Sequence, residues 1–203
     1  MASATVADST RKKWKNLLLE ILPAQGSWSE EEYLVLTGSS NRLVEYTDGN
    51  LEVLPMPTVR HQCILEFVYA AFLAFVGPMG GKVHFAPVRL QIRPGKYREP
   101  DLMLLRSAED SRRQNRFWTG ADLALEVVSE DKPERDLADK RGDYAEGYVP
   151  EYWIVNPLND TITVLQLKGK RYIKAGRYKR GQVAASALLD GFSVDVNAVF
   201  DAK

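Results

Sequence analysis

Two carboxylates in this chain stand where a carboxylate is costly to keep. Glu126 lies inside Leu123-Ala-Leu-Glu-Val-Val128, a run with the length and composition of a buried strand. Asp101 follows Glu99-Pro100 at the head of a second apolar run that ends at Leu105. A buried acid is retained when it is paired, hydrogen-bonded or bound to a metal. Strand alternation puts Ala124, Glu126 and Val128 on one face, and Asp101, Met103 and Leu105 on one face of theirs. On neighbouring strands the two acids would converge. They would then repel unless a cation lay between them, and Mg²⁺, a hard ion, prefers such oxygens together with waters. Taken alone, Asp101 also reads as an ordinary acid at a strand start.

A helix follows, over Pro133 to Gly147, with proline suited to its first turn and glycine to its end. Asp136, Lys140 and Tyr144 fall at i, i+4 and i+8 and share a face, with Asp139 and Asp143 on the adjacent stripe. By itself this is a solvated face with an Asp136–Lys140 pair.

The elements that must position these groups are legible in outline. Residues 1–13 read as disordered and 14–22 as a short amphipathic helix. Ser29 caps a helix that opens on Glu30-Glu31-Glu32. Residues 43–54 read as a hairpin turned at Asp48-Gly49, and Arg60 to Val76 as a long apolar helix ended by Gly77-Pro78. Strands are expected over Val83–Arg93, Arg98–Leu105, Leu123–Val128 and Glu151–Val155, then a hairpin from Thr161–Leu167 and Arg171–Ala175, and a short apolar segment from Ala187 to Phe200. The order helix, three-strand antiparallel meander, helix, strand is a mixed α/β sheet with a βαβ crossover. It is not a dinucleotide-binding fold, since no G-x-G-x-x-G follows a strand, and no P-loop occurs.

Composition narrows the function less. The 203 residues carry 27 basic and 27 acidic side chains, so global charge gives no case for a polyanionic partner. One cysteine, Cys63, forms no internal disulfide and reads as a small buried hydrophobe, and there is no zinc-like Cys/His spacing. The basic stretch Arg11 to Lys15 before Leu17–Leu22 is too short, and too interrupted by Glu20, for a signal peptide. The longest apolar run, Ile64–Val76, is short for a bilayer and holds Glu66. A cytoplasmic protein with no membrane partner is expected.

Pro100-Asp101, the strand-borne Glu126 and the basic helix after it resemble the PD-(D/E)XK nuclease superfamily. Residues 123–129 and 135–157, with Tyr33-Leu34, Glu45-Tyr-Thr-Asp-Gly-Asn-Leu51, Arg60-His61-Gln62 and Ala86-Pro87-Val88, resemble one branch of it. That branch is the Uma-two family of restriction-endonuclease-like proteins. The resemblance runs from about residue 28 to 200, which implies a leader over 1–27 and a single restriction-endonuclease-like domain over 28–200. The superfamily's usual lysine two residues after the glutamate is Val128 here; the resemblance supplies it from the helix as Lys140. It also adds Glu45 and His61 to the site. The mechanism it implies is Mg²⁺-dependent phosphodiester hydrolysis, with Mn²⁺ as a substitute. Asp101, Glu126 and the Val127 carbonyl would hold the ion, and Lys140 would orient the attacking water. Nucleic acid, foremost DNA, is the implied partner, and a homodimer the implied assembly.

Two basic clusters could serve such a partner: Arg106, Arg112, Arg113 and Arg116, and Lys168, Lys170, Arg171, Lys174, Arg177, Lys179 and Arg180. Tyr172 and Tyr178 interleave the second, a pattern suited to phosphate contact with base stacking. A competing reading is a catalytically silent nuclease-like fold that binds nucleic acid or serves assembly, and a third is a phosphodiesterase for small nucleotides.

Overall fold

A computed structural model gives the fold and describes residues 22–39, 42–131 and 133–203. The expected leader helix therefore lies outside the described residues, apart from Leu22. Helix α1 (Glu30–Gly38) starts where the sequence asks: Ser29 accepts from Glu32 N–H, and the Glu32 side chain accepts from the Ser29 N–H in return. Strands β1 (Val44–Thr47) and β2 (Asn50–Val53) form the expected hairpin. Its turn residues have φ of 45° at Asp48 and 85° at Gly49, as a type I′ turn needs. A Cβ on Gly49 would also come within 2.5 Å of the Gly26 carbonyl oxygen. Gly49→Ala is therefore expected to cost about 1–3 kcal/mol, read as a lower urea midpoint with an unchanged slope.

The long helix α2 (Val59–Val76) is capped by Thr58, whose hydroxyl accepts from the His61 N–H at 3.2 Å. The span Val59–Met79 has the length and composition of a membrane-crossing helix. Its stripe Ile64, Leu65, Val68, Phe72 and Val76 is nonetheless buried in the core. Cys63, expected to be buried, is half-buried.

Eight further strands complete two main sheets. The smaller has the order β2-β1-β5-β4, with β4 Leu90–Arg93 and β5 Lys96–Arg98. The larger has the order β10-β9-β8-β7-β6-β3. Its strands are β3 Lys82–Phe85, β6 Leu102–Leu105, β7 Leu123–Val127, β8 Glu151–Asn156, β9 Thr161–Lys168 and β10 Arg171–Lys179. Strands β3, β6 and β7 are antiparallel, and β7 pairs in parallel with β8. A short pair, β11 (Val183–Ala185) and β12 (Ser193–Asp195), and helix α4 (Val196–Phe200) close the chain. This is the mixed sheet with a βαβ crossover that the sequence predicts.

The strand boundaries need correction. The expected Val83–Arg93 strand is two strands, β3 and β4, in different sheets, and Arg98–Leu105 likewise divides into β5 and β6. Pro87 and Pro100 have no N–H for a ladder, so the chain leaves one sheet there and enters the other. The crossover helix also departs from regularity. It runs through a wider π-type segment, Arg135–Asp139, before α3 (Lys140–Glu146).

Two apolar layers flank the large sheet. Leu102, Leu104, Leu123, Leu125 and Val127 face α2 and α4, whereas Met103, Leu105, Ala124 and Val128 face Tyr144 and Ala145 of α3. The alternation read from the sequence is thus the division between the layers.

Candidate active site

The pairing of β6 with β7 sets Leu102 opposite Leu125 and Met103 opposite Ala124. One step further along the same register, at the sheet's end, Asp101 comes opposite Glu126. The Asp101 N–H lies 3.5 Å from Glu126 Oε2, and the Val127 N–H donates to Asp101 Oδ2 at 2.7 Å. Asp101 is in the bend before β6 rather than in the strand, because Pro100 has just broken the ladder.

Lys140, the first residue of α3, reaches this pair from the helix side. Its Nζ is 2.8 Å from Glu126 Oε1 and 3.7 Å from Glu45 Oε1. All three are deeply buried: Lys140 is 3%, Glu126 1% and Glu45 3% exposed. Lys140 therefore does not point to solvent. The Tyr144 hydroxyl donates to the same Oε1 of Glu126 in a short hydrogen bond. Burial, then the charge of Glu126, holds the Tyr144 phenol well above its ordinary range, so it stays a donor.

His61, in the first turn of α2, places Nε2 3.1 Å from Asp101 Oδ2. Burial alone would raise the Asp101 carboxyl, but the hydrogen bond and charge of His61, with Lys140 and the Val127 N–H, outweigh it and hold the group below the usual value. The structure thus brings together every residue singled out from the sequence: Glu45, His61, Asp101, Glu126, Val127 and Lys140. The side chain of Asp136, expected on the Lys140 face, lies outside the described residues.

Sequence reasoning missed several members of the cluster. The β1–β5 register, Tyr46 with Tyr97 and Thr47 with Lys96, sets Glu45 across from Arg98. Arg98 Nε lies 3.5 Å from Glu45 Oε2 and donates to Asp143 Oδ2 at 2.6 Å. Lys96 pairs with Asp143 and, at 2.8 Å, with Glu146. Glu99 is 2% exposed, accepts the Val44 N–H at 2.9 Å, and donates its own N–H to Glu45 at 3.3 Å.

Burial, with a smaller push from Glu45, raises the Glu99 carboxyl to about 8, against the pull of the Val44 N–H. Its folded value lies above its unfolded one. Its contribution to stability is thus complete at acid pH and is lost as pH rises from the ordinary carboxylate range through about 8. The urea midpoint should fall between pH 5 and pH 9, and Glu99→Gln should flatten that fall. An unchanged slope in the variant would remove Glu99 as the cause.

A cleft of about 460 Å³ opens over these groups, lined among others by His61, Glu99, Asp101, Glu126, Val127 and Lys140. A second, more polar hollow of about 360 Å³ lies against Glu45, Arg98, Lys140 and Asp143. Lys140 forms part of both walls. Among the described residues no group of three or more His, Cys, Asp or Glu side chains is set to hold a metal. Two carboxylates on adjacent strands still match the protein's usual share of an Mg²⁺ shell, which keeps several waters. Among the described residues both hydrogen bonds to the Asp101 side chain fall on Oδ2, and Oδ1 receives none.

The first basic cluster is largely spent within the fold. Arg106 and Arg112 pair with Asp122, Arg112 also with Asp110, and Arg116 with Glu31.

The fold is thus a mixed sheet with paired acids at its end and a lysine from the crossing helix. The crystal structure of a putative nuclease from Anabaena variabilis matches it with a TM-score of 0.69, covering 88% of this chain and 98% of that one. Sequence identity is 15%, so the likeness concerns the fold alone. The family model of Uma2, described as a putative restriction endonuclease, matches residues 30–197, and the chain belongs to that family. No curated protein matches it.

Proposed function

We propose that the chain is a divalent-metal-dependent nuclease that hydrolyses phosphodiester bonds in DNA. One observation carries this reading: Asp101 and Glu126 meet at the end of adjacent strands, in a cleft wall, with the Lys140 ammonium 2.8 Å from Glu126. Asp101, Glu126 and the Val127 carbonyl would hold Mg²⁺ or Mn²⁺. A bound ion would supply charge to the scissile phosphate and make water a better nucleophile. Lys140 orients the water and offsets phosphate charge; its burial fixes where it can act. Tyr144 and Glu45 hold Lys140 and Glu126 in register, and His61 orients Asp101. A homodimer suits the reading, because cutting both strands of a duplex takes two centres.

The test is incubation with plasmid and with single-stranded DNA in Mg²⁺, Mn²⁺ or EDTA, beside an Asp101→Ala/Glu126→Ala variant. Metal-dependent cleavage that vanishes in the variant is the expected result. No cleavage of either substrate, with no Mn²⁺ binding by calorimetry, would sink the proposal. That outcome favours the silent module, which has its own support: Val128 stands where the superfamily carries lysine, and His61 and Lys140 already offset the two carboxylates.

A further inference from the structure

The second basic cluster has not been absorbed by the fold. Residues 168–180 hold seven basic side chains and no acid, leaving 20 basic against 27 acidic residues in the rest of a neutral chain. Charge is therefore sharply segregated onto the β9–β10 hairpin. Arg180 pairs with Asp160 and Asp201. Lys168, Lys170, Arg171, Lys174, Arg177 and Lys179 are all exposed, and none has an acidic partner among the described residues. Strand β10 is also the free edge of the large sheet.

The tyrosines in this stretch decide what kind of polyanion fits. Tyr172 is 5% exposed and donates its hydroxyl to the Val149 carbonyl, and Tyr178 is half-buried against the core. The hairpin thus offers charge with no fully exposed aromatic ring. Single-stranded nucleic acid is held by bases stacked on exposed rings, whereas a duplex keeps its bases stacked and presents phosphates.

Position links the hairpin to the cleft. Lys179 pairs across the ladder with Thr161, at the end of the sheet where Pro157 lines the cleft. Arg60, another cleft residue, shares Asp160 with Arg180. Strand β10 is three strands from β7, about 14 Å at ordinary strand spacing. The nine residues of β10 extend for about 30 Å, close to one helical turn of DNA at roughly 34 Å.

We infer that the β9–β10 hairpin is a phosphate-contacting surface for duplex DNA, outside the cleft and continuous with its rim. The inference builds on the nucleic-acid reading of the cleft but not on hydrolysis, so its test is binding without metal. The full-length protein in EDTA would be titrated into a labelled 30-base-pair duplex, followed by fluorescence anisotropy at several salt concentrations. A Lys174→Gln/Arg177→Gln/Lys179→Gln variant should bind at least about tenfold more weakly. Its plot of log affinity against log salt should be shallower by about 2.7, at roughly 0.9 per lost phosphate contact. A Lys82→Gln/Lys203→Gln variant, with positive charge removed elsewhere, should bind nearly as the parent does. Thermal unfolding of both variants should match the parent, which separates lost contacts from lost fold. Equal weakening in both variants, undiminished binding by the first, or no duplex binding by the parent would overturn the inference. So would tighter binding of a single strand or an RNA of the same length through the same residues. Duplex binding through the hairpin with no cleavage under any condition would sink the hydrolytic reading and leave this one standing.

Discussion

Lys140→Ala is expected to lower the stability of the fold by about 3–5 kcal/mol, the usual cost of removing one partner from a buried ion pair. The lysine lies between two carboxylates as buried as itself, 2.8 Å from Glu126 and 3.7 Å from Glu45. Alanine leaves both acids facing each other in a site from which water is largely excluded. Arg98 offsets only Glu45, from 3.5 Å. The loss would be read from urea denaturation in EDTA. Cleavage activity should disappear with it, so activity alone would not separate a catalytic from a structural role. Metal does separate them. If a cation is held by Asp101 and Glu126, Mn²⁺ should restore stability to the variant by roughly 2.7 kcal/mol at a hundred times its dissociation constant. A variant as unstable in Mn²⁺ as in EDTA would argue that Lys140 serves the fold and that no ion binds there.

Glu126→Gln is expected to have the opposite balance: a large loss of cleavage with a smaller loss of stability. Glutamine keeps an oxygen for the Tyr144 hydroxyl, and Lys140 retains Glu45 as a charged partner. The fold therefore keeps a paired lysine instead of two acids that have lost their shared ammonium. What goes is a charged oxygen ligand, and with several kcal/mol of transition-state stabilisation assigned to a bound metal, cleavage should fall by roughly 10³-fold or more. Single-turnover cleavage and Mn²⁺ calorimetry, run on the same preparation, check both halves. A variant that binds Mn²⁺ as the parent does would remove Glu126 from the ligand set.

Much of this site could be read along the sequence because its chemistry violates local expectation. An acid in the middle of Leu123–Val128 demands a partner, and the period-2 alternation already fixes which face that partner must occupy. Helix spacing likewise put Lys140 and Tyr144 on one face, and in the structure both reach Glu126 Oε1. What could not be read was membership of sheets. Arg98 and Leu102 are four residues apart and look like one strand, yet they belong to different sheets, because a ladder is decided by partners far away in sequence. The same holds for the ion pairs. Arg98 finds Asp143 across 45 residues, and Arg116, one of the first basic cluster, finds Glu31 across 85. The tyrosines of β10 misled for a related reason. Interleaving with lysine suggested stacking, but which side of a ribbon faces a core is not written in the ribbon itself.

The break at Glu99-Pro100-Asp101 makes the site depend on both sheets and on the crossover helix at once. Asp101 occupies the peptide that steps from the small sheet to the large one, Glu45 comes from the small sheet, Glu126 from the large one, and Lys140 from the helix that follows it. A ribosome-bound chain whose residue 140 has not emerged holds the acids without their ammonium. A copy whose two sheets have parted holds Glu126 and Lys140 without Glu45. Whatever chemistry the cluster performs is thus withheld from unfinished and damaged molecules alike, and becomes available only when the last pieces of the fold close on one another.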